Sequence, residues 1–314
     1  MSIHVNVDNF ARAETSRMFR DLAATAGDVN RWTHVRRPTA IDAQTVIRMN
    51  RDTLYSFAIV DASGGATVTL PEAGERYLSL MIIDEDHYVS DIIHEPGSHR
   101  LEPVSSDSQH VALVARTLVD PSDPADVAAV NALQDQLGLE TGGSAPFEHL
   151  DYDTDSMDAT RRALVQLAGG IEGFDRTFGQ RDEVDEVRHL LGTAAGWGGL
   201  PEREAFYLNQ GPGLAVQDYD LRVADVPVDA FWSISMYNRD GFFEKNDFDA
   251  YSVNDVTAVK DDDGAITVRF GVEPSGAANF LPITDGWNYI VRLYRPRPEI
   301  LDGSWTFPTP QPVT

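Results

Sequence analysis

The spacing of apolar residues changes along the chain, and this change limits the fold more than any other feature of the sequence. A helical period of about 3.6 residues at the N-terminus gives way to alternation of apolar and polar residues. A helical period returns in the middle of the chain, and alternation resumes in the last third. Successive residues of a strand point to opposite faces, so alternation of apolar and polar residues indicates strands. The order of the two patterns along the chain therefore predicts two strand-rich regions separated by helices.

The first alternating region follows a predicted helix that Asp8 or Asn9 can cap and that Gly27 can end. The apolar face of this helix is predicted to hold Ala11, Thr15, Met18 and Leu22. Glycine, proline or aspartate then separates four short runs that are rich in β-branched and aromatic residues, and each run is predicted to be a strand. These runs are residues 54–60, 66–70, 77–83 and 111–115.

Three helices are predicted between the strand-rich regions. Asp123 followed by Pro124 is a helix start signal, Asp155 can cap a second helix, and residues 182–196 have the pattern of a third. The last third returns to predicted strands, with an Asp263-Gly264 turn between two of them and a proline-rich tail, residues 296–314, that is predicted to be extended. These strands are residues 226–237, 256–260, 266–270 and 287–294.

The order of elements predicts a fold that is mainly β with a helical insertion, in the α+β class. Strand-rich blocks without β-α-β alternation favour two antiparallel domains of the β-sandwich or jelly-roll type. We expect an N-terminal domain at residues 1–120, the helical insertion at 121–200 and a C-terminal β domain at 201–314. A length of 314 residues agrees with two domains of ordinary size.

The charge of the chain excludes several classes of partner. It has 50 acidic residues against 25 basic ones, a formal net charge of −25, which disfavours nucleic acids and anionic membranes. Adaptation to high salt and the codon composition of the genome are two open explanations, and both predict stability that depends on salt. With neither a signal sequence nor a long apolar run, we expect a cytoplasmic protein, and exposed strand edges leave homo-oligomer formation open.

Familiar catalytic motifs are absent from the sequence. The chain has no G-x-S-x-G nucleophile elbow, no P-loop and no strand-linked G-x-G-x-x-G. It also has no cysteine, so thiol nucleophiles and cysteine-bound zinc are excluded. The sequence predicts no metal site, and the cofactor, if the protein uses one, stays unknown.

A first group of candidate residues stands just before the strand at residues 54–60. Arg48 and Arg51 have planar guanidinium groups that can hold a carboxylate or a phosphate at two points. Asn50, Asp52 and Tyr55 could orient such a ligand. The alternative is a purely structural start of a strand, in which Arg51 and Asp52 form ion pairs with neighbouring residues.

A second group follows the strand at residues 77–83. Asp84, Asp86 and His87 could act as a general base and its carboxylate partners, because histidine titrates near neutral pH. Along a strand the two aspartates and the histidine would point to opposite faces, so half of the group at most could converge. A solvent-exposed loop is the alternative.

Several aromatic residues are candidates for an apolar wall of a binding site. These residues are Trp197, Trp232 and Tyr237. The alternative is that they belong to the core or to an interface between domains.

The two strand-rich regions also resemble known families. Residues 48–56, RMNRDTLYS, with GERYLSLMIID at 74–84, resemble the core of the domain of unknown function numbered 1254. FWSISMY at 231–237, with RLYRPRPEILDGSW at 292–305, resembles its usual companion, the domain numbered 1214. The resemblance implies two β-sandwich-like domains with a helical insertion, and it implies no particular chemistry.

Two functions remain open from the sequence. The first is an enzyme of the hydrolase or lyase type that acts on a small organic molecule in a cleft between the two β domains. Arg48 and Arg51 would hold an anionic group, and Asp84, Asp86 or His87 would move protons. The alternative is a binding protein without catalysis that uses the same cleft.

Overall fold

The computed structural model describes residues 2–44, 47–101, 108–171, 173–210, 213–274 and 276–313. Within these residues the protein is mainly β, with helices, as the sequence predicts. The chain divides into two compact units. The first unit is Met1–Arg37 with Thr53–Pro201, and the second is Pro38–Asp52 with Glu202–Thr314. The short segment Pro38–Asp52 thus belongs with the C-terminal strands, a grouping that no local pattern in the sequence indicates.

The first unit contains two antiparallel sheets and most of the helical residues. In chain order, its elements are α1 (Phe10–Ala26), β1 (Thr33–His34), β2 (Thr53–Asp61), β3 (Ala66–Leu70), β4 (Leu78–Ile83), β5 (Val89–Ile93), β6 (Gly97–Leu101), β7 (His110–Leu118), α2 (Pro124–Gln134), β8 (Gly138–Thr141), α3 (Thr154–Ala168) and α4 (Glu186–Gly196). One sheet has the order β1-β2-β7-β4-β5 and the other β6-β3-β8. Both sheets contribute to one apolar core, which includes Val60, Val68, Leu80 and Leu113.

The helices of the first unit begin at aspartate caps. The carboxylate of Asp123 accepts the Ala125 N–H, which confirms the predicted cap of α2. The predicted cap Asp155 is wrong, because Asp153 caps α3 and Asp155 lies in its first turn. Asp185 caps α4, so this helix begins later than the predicted residue 182.

The predicted apolar face of α1 is also wrong in part. The fully buried positions of this helix are Phe10, Ala13, Glu14, Thr15, Ser16 and Phe19. Met18 and Leu22 are partly exposed, because the helix buries its polar positions as well as its apolar ones. Glu14 is buried and forms ion pairs with Arg17 and Arg161. Because these cations compensate its charge, the carboxylate can lie on the buried face of the helix.

The second unit also contains two sheets. After a 3-10 turn at Ile41–Ala43, its elements are β9 (Ala205–Gln210), β10 (Tyr219–Val223), β11 (Trp232–Tyr237), β12 (Ser252–Asn254), β13 (Ile266–Gly271), β14 (Phe280–Pro282), β15 (Asn288–Tyr294), α5 (Pro298–Leu301) and β16 (Gln311–Pro312). The sheet orders are β14-β13-β10-β16 and β12-β11-β15-β9. All pairings are antiparallel except that of β13 with β14, which is parallel. Both sheets contribute to one core, which includes Leu221, Ile234, Val268 and Leu293.

Several predictions for the second unit are wrong. Residues 256–260 form a turn, and the strand lies before them at Ser252–Asn254, because the Asn254 side chain accepts the Val256 and Thr257 N–H groups and closes the turn. Only the second half of the run 226–237 is a strand. The tail is not simply extended, since Ile300 and Phe307 are buried in the core; Thr314 of this predicted segment lies outside the described residues. In the two units together, strands β1, β5, β6, β8, β9, β10, β14 and β16 had no prediction.

No helix in the described part of the chain is long and apolar enough to cross a membrane.

Candidate functional site

The segment Pro38–Asp52 carries the first group of candidate residues into the second unit. Met49 packs against an aromatic cluster that contains Tyr237, Phe243 and Tyr251. Gln44 fixes the segment further, because its side chain donates to the Phe243 carbonyl at 2.9 Å and accepts the Phe243 N–H at 2.8 Å. The apolar contact of Met49 and the two hydrogen bonds of the Gln44 side chain thus fix the segment. They thereby position its candidate residues, which are Arg48, Asn50, Arg51 and Asp52.

A buried arginine from β15 organises the site. Arg292 is 3% exposed, and its guanidinium donates to the Ser235 hydroxyl at 2.8 Å and to the Tyr237 hydroxyl at 2.9 Å. It also donates to the carbonyl of Arg48 at 2.9 Å. The Tyr237 hydroxyl in turn donates to the Met49 carbonyl at 2.7 Å. The two strands β11 and β15 therefore hold the backbone of residues 48–49 in place through one cation.

Asp52 lies fully buried at the end of this segment. The Ser233 hydroxyl donates to its Oδ2 at 2.5 Å, and no described group donates to its Oδ1. Burial raises the pKa of the Asp52 carboxyl, while Arg292, the Ser233 hydrogen bond and Arg51 oppose this shift. Burial thus favours the neutral form of this carboxyl, whereas the Ser233 hydroxyl and the two arginines favour its charged form.

Arg48 and Arg51 have no carboxylate partner. Neither residue forms an ion pair within the described parts of the chain, whereas Arg222, Arg269 and Arg297 of the same unit are each paired with an aspartate. No described carboxylate therefore forms an ion pair with Arg51, whereas pairing of Arg51 and Asp52 with neighbours across the domain interface stays a prediction. Burial lowers the pKa of both guanidinium groups, which still carry their charge at neutral pH.

The two arginines lie over tyrosine rings instead. The Arg48 guanidinium carbon is 6.0 Å from the centre of the Tyr237 ring, and that of Arg51 is 5.3 Å from the centre of the Tyr251 ring. Arg51 also donates to the Thr39 carbonyl. The Arg48 Nη1 and Arg51 Nε atoms are shielded from solvent and have no acceptor among the described residues. These two buried donors are therefore unsatisfied within the described part of the chain.

Tyr237 and Tyr251, over whose rings the two arginines lie, also line an open pocket of about 60 Å³. Trp287 and Lys245 contribute to its walls. A water molecule needs about 10–15 Å³ by the same measure, so the pocket has room for about four to six of them. The ligand that fits beside Tyr237 and Tyr251 is therefore small.

The other predicted binding residues lie elsewhere. Trp232 is buried in the core of the second unit, as the structural alternative for it predicts. Tyr55 and Trp197 belong to the first unit, where Arg116 lies 5.3 Å over the Tyr55 ring and the Trp197 indole donates to the Thr15 hydroxyl at 3.1 Å. The arginine group therefore shares its unit with Asn50, Asp52, Trp232 and Tyr237, and not with Tyr55 or Trp197. A cleft between the two β domains stays a prediction.

The second group of candidate residues forms a turn in the first unit and not the continuation of a strand. Asp84 Oδ1 accepts the N–H groups of Asp86 and Tyr88 at 2.9 and 2.8 Å. His87 has a φ of 69°, in the left-handed region that tight turns use. The prediction that alternate residues of this group share a face is therefore wrong, because the Asp84 side chain folds the backbone back on itself.

His87 is fully engaged inside the first unit. Its Nε2 accepts the Gly198 N–H at 2.8 Å, which leaves Nδ1 as the protonated nitrogen that donates to the Thr193 hydroxyl at 2.8 Å. Burial and the neighbouring His189 hold the pKa of His87 well below its usual value. The ring is thus held neutral and bridges the turn to α4.

The carboxylates beside His87 have different surroundings. Asp86 and Glu85 form ion pairs with Arg12, each at 2.7 Å. Burial raises the pKa of Asp84 to about 6. A role in proton transfer stays a prediction for Asp84, Asp86 and His87, and no group of three or more His, Asp or Glu side chains in the described residues is placed to hold a metal.

Sequence reasoning missed the residues that complete the arginine site. Arg292, Ser233 and Ser235 come from β11 and β15, far along the chain from residues 48–52. A signal for Arg292 existed, since a lone charge inside the apolar run of residues 287–294 is costly unless it is paired.

Comparison with known families matches two regions of the chain. Residues 29–99 match the model described as "Protein of unknown function (DUF1254)", and residues 210–298 match "Protein of unknown function (DUF1214)". The resemblance that the sequence motifs indicate is thereby confirmed. A comparison with curated proteins gives no match.

Solved structures share the fold. The VPA0106 protein from Vibrio parahaemolyticus is similar with a TM-score of 0.72 at 19% identity, over 98% of each chain. An uncharacterised protein from Burkholderia cenocepacia is similar with a TM-score of 0.58 at 17% identity, over 98% of this chain and 88% of that one. At these identities the likeness concerns the fold alone.

Proposed function

We propose that this protein, which combines a DUF1254 region with a DUF1214 region, binds a small organic carboxylate through Arg48 and Arg51. The observation that carries the proposal is that, among the described residues, neither guanidinium forms an ion pair with a carboxylate, in a chain with twice as many acidic as basic residues. A chain with so many acidic residues could easily place a carboxylate beside each of these arginines. Leaving two half-buried cations without one supports a role for them in binding an anion from solution.

The donors of the site suit a carboxylate. Arg48 Nη1 carries two N–H groups and Arg51 Nε one, none with an acceptor among the described residues, and a carboxylate has two oxygens that can each accept. Charge-assisted bonds of this kind are about twice as strong as neutral ones. A tetrahedral phosphate with its larger charge would call for more donors than these two atoms provide.

The size of the ligand is limited by the adjoining pocket. Tyr237 and Tyr251, over which the two arginines lie, also line the pocket of about 60 Å³. Carboxylates of two to four carbons, such as acetate, pyruvate and succinate, have about this bulk. The aromatic rings would contact the carbon atoms of the ligand while the guanidinium groups hold its charged end.

Thermal unfolding with a panel of small anions tests the proposal. A ligand that binds only the folded state raises its stability by mass action, by about 2.7 kcal/mol at a hundredfold excess over Kd. We expect pyruvate or a related carboxylate to raise Tm, inorganic phosphate to do so less, and Arg51→Ala and Arg48→Ala to abolish the shift. Sodium chloride at equal ionic strength controls for screening of the acidic surface.

Arg297→Ala is the matched control variant. Arg297 belongs to the same unit, is exposed and is paired with Asp229, so its loss should leave the pyruvate shift unchanged. Equal shifts in Arg51→Ala and in the parent protein would contradict the proposal, as would the absence of a shift with every carboxylate in the panel.

Catalysis is the second candidate function, and one observation favours it. The buried carboxyl of Asp84 has a pKa of about 6, within the range of general acids and bases. If the first unit catalyses hydrolysis of a small ester, Asp84→Asn should abolish turnover without unfolding the protein. Equal turnover in Asp84→Asn would exclude this residue as the base.

A further inference from the structure

Asp52 is a buried carboxyl group of the second unit and directly follows Arg51 in the chain. It is fully buried, its Oδ2 accepts from the Ser233 hydroxyl at 2.5 Å, and its Oδ1 has no donor among the described residues. An ionised carboxylate has about four sites that can accept hydrogen bonds. One hydrogen bond is little compensation for a charge away from water, so the ionised form depends on nearby cations.

Two cations supply that support. They are Arg292, from β15, and Arg51, from the same segment as Asp52. Arg292 is already engaged by the hydroxyls of Ser235 and Tyr237, and the Tyr237 and Tyr294 hydroxyls are the titratable groups that face it. Arg51 faces Tyr251 and the exposed carboxylate Asp249. Of the two cations that the described residues place near Asp52, Arg51 is the one that a carboxylate bound at this site would neutralise.

We propose that Asp52 takes up one proton from solvent when a carboxylate binds at Arg51, so that ligand binding is linked to pH. This inference rests on the proposed function. The bound carboxylate neutralises Arg51 and places a second negative charge near Asp52, and two carboxylates that share a site cannot both stay ionised at little cost. Asp52 then becomes the neutral acid, whose hydroxyl hydrogen can donate a hydrogen bond that the ionised form cannot make.

The linkage has a definite sign. Because the liganded protein holds one more proton than the free protein, affinity must rise as pH falls. In the pH interval between the pKa of Asp52 in the free protein and its pKa in the liganded protein, Kd should fall by up to about tenfold for each unit by which the pH is lowered. Outside that interval the affinity should be constant.

Titration calorimetry with pyruvate tests the inference on the whole protein. The carboxyl group of pyruvate stays ionised throughout the range from about pH 5 to about pH 8, so the ligand itself contributes no proton. Measurements at one pH in two buffers of different ionisation enthalpy give the number of protons taken up. We expect uptake of up to one proton in the parent protein, with tighter binding at the lower pH.

Two variants assign the proton. Asp52→Asn keeps a neutral group of the same shape and should bind pyruvate with no proton uptake and no dependence on pH. Asp249→Asn removes the other carboxylate that faces Arg51, and it should keep the uptake of the parent protein. Asparagine also tolerates the left-handed φ of 51° at residue 249.

The outcomes separate this inference from the proposed function. Pyruvate binding with the same Kd at all pH values and without proton uptake in the parent protein would overturn the role of Asp52 and leave the binding site standing. Uptake lost in Asp249→Asn and kept in Asp52→Asn would also overturn it. Because the parent measurement needs no variant, the test holds even if Asp52→Asn fails to fold.

Discussion

The arginine segment of the second unit and the Asp84 turn of the first unit look alike in sequence and differ in how their polar atoms are satisfied. Both are short charged runs that flank an apolar strand. In the turn, each ring nitrogen of His87 has a partner, and Asp84 Oδ1 accepts two backbone N–H groups. In the arginine segment, Arg48, Arg51 and Asp52 each keep a buried polar atom without a partner in the described chain.

This difference separates structural polar groups from candidates for binding. A buried polar atom without a partner costs about 1–3 kcal/mol, so a folded protein rarely leaves three of them together. The turn uses its polar atoms to hold the backbone of the first unit. The arginine segment leaves three polar atoms unsatisfied within the described residues, which supports the proposed binding site.

The largest effect on the free energy of unfolding is expected from substitution of Arg292, which holds the backbone of the arginine segment in place. Arg292→Met should lower the free energy of unfolding by about 3–5 kcal/mol, because it leaves the Tyr237 hydroxyl, two carbonyls and Asp52 without their buried cation. Denaturant unfolding measures the change. Arg292→Lys should recover part of the loss, since lysine keeps the charge and loses the fork geometry. A change below about 1 kcal/mol would mean that the segment is held by its apolar contacts alone.

Removal of the histidine should test whether the turn is structural. His87→Ala leaves the Gly198 N–H without its acceptor, removes the donor to the Thr193 hydroxyl and opens a cavity, and we expect a loss of about 2–4 kcal/mol in the free energy of unfolding. The pyruvate-induced shift in Tm should persist. His4→Ala, at an exposed histidine of the same unit, is the control and should change stability by less than about 0.5 kcal/mol.

Asp84 gives the turn a pH dependence of known sign. Its pKa is raised to about 6 by burial, above its value of 3.8 in an unfolded chain, so its contribution to stability is greatest below pH 3.8 and is lost as pH rises through about 6. Asp84→Asn keeps the acceptor for both N–H groups. We expect it to stabilise the protein at neutral pH by about 1–3 kcal/mol and to leave stability at low pH unchanged. Equal pH profiles of unfolding for the two proteins would show that Asp84 has an ordinary pKa.

The smallest effect on stability is expected at Arg51, where the effect on binding is complete. Arg51→Ala loses one hydrogen bond to the Thr39 carbonyl and a cation–π contact with Tyr251, and it also removes a half-buried charge that forms no ion pair within the described residues. These contributions oppose each other, so the free energy of unfolding should change by less than about 1 kcal/mol. A loss of several kcal/mol would indicate that Arg51 is structural, and the comparison between the two regions would fail.

Much of the candidate site was predicted from local sequence. Arg48, Asn50, Arg51 and Asp52 were recognised because charged and amide groups directly before an apolar strand are unusual. Tyr237 was named for its aromatic ring, and it lies under Arg48 as well as in the pocket wall. Arg292 and Ser233 were missed, because residues from distant strands meet residues 48–52 only after the sheets have formed.

The sequence by itself determined the class of the fold and part of its elements. Period-two alternation selected strands, Asp123 with Pro124 began a helix, and the absence of β-α-β alternation indicated antiparallel sheets, since these are local effects of backbone and side-chain geometry. Tertiary structure decided which polar atoms are satisfied. Three features depend on groups that are far apart in the chain. They are the membership of residues 38–52 in the second unit, the hydrogen bond from Ser233 to Asp52 and the hydrogen bonds of the His87 ring nitrogens. Hydrogen-bond satisfaction is a property of the folded neighbourhood, so no local pattern could reveal it.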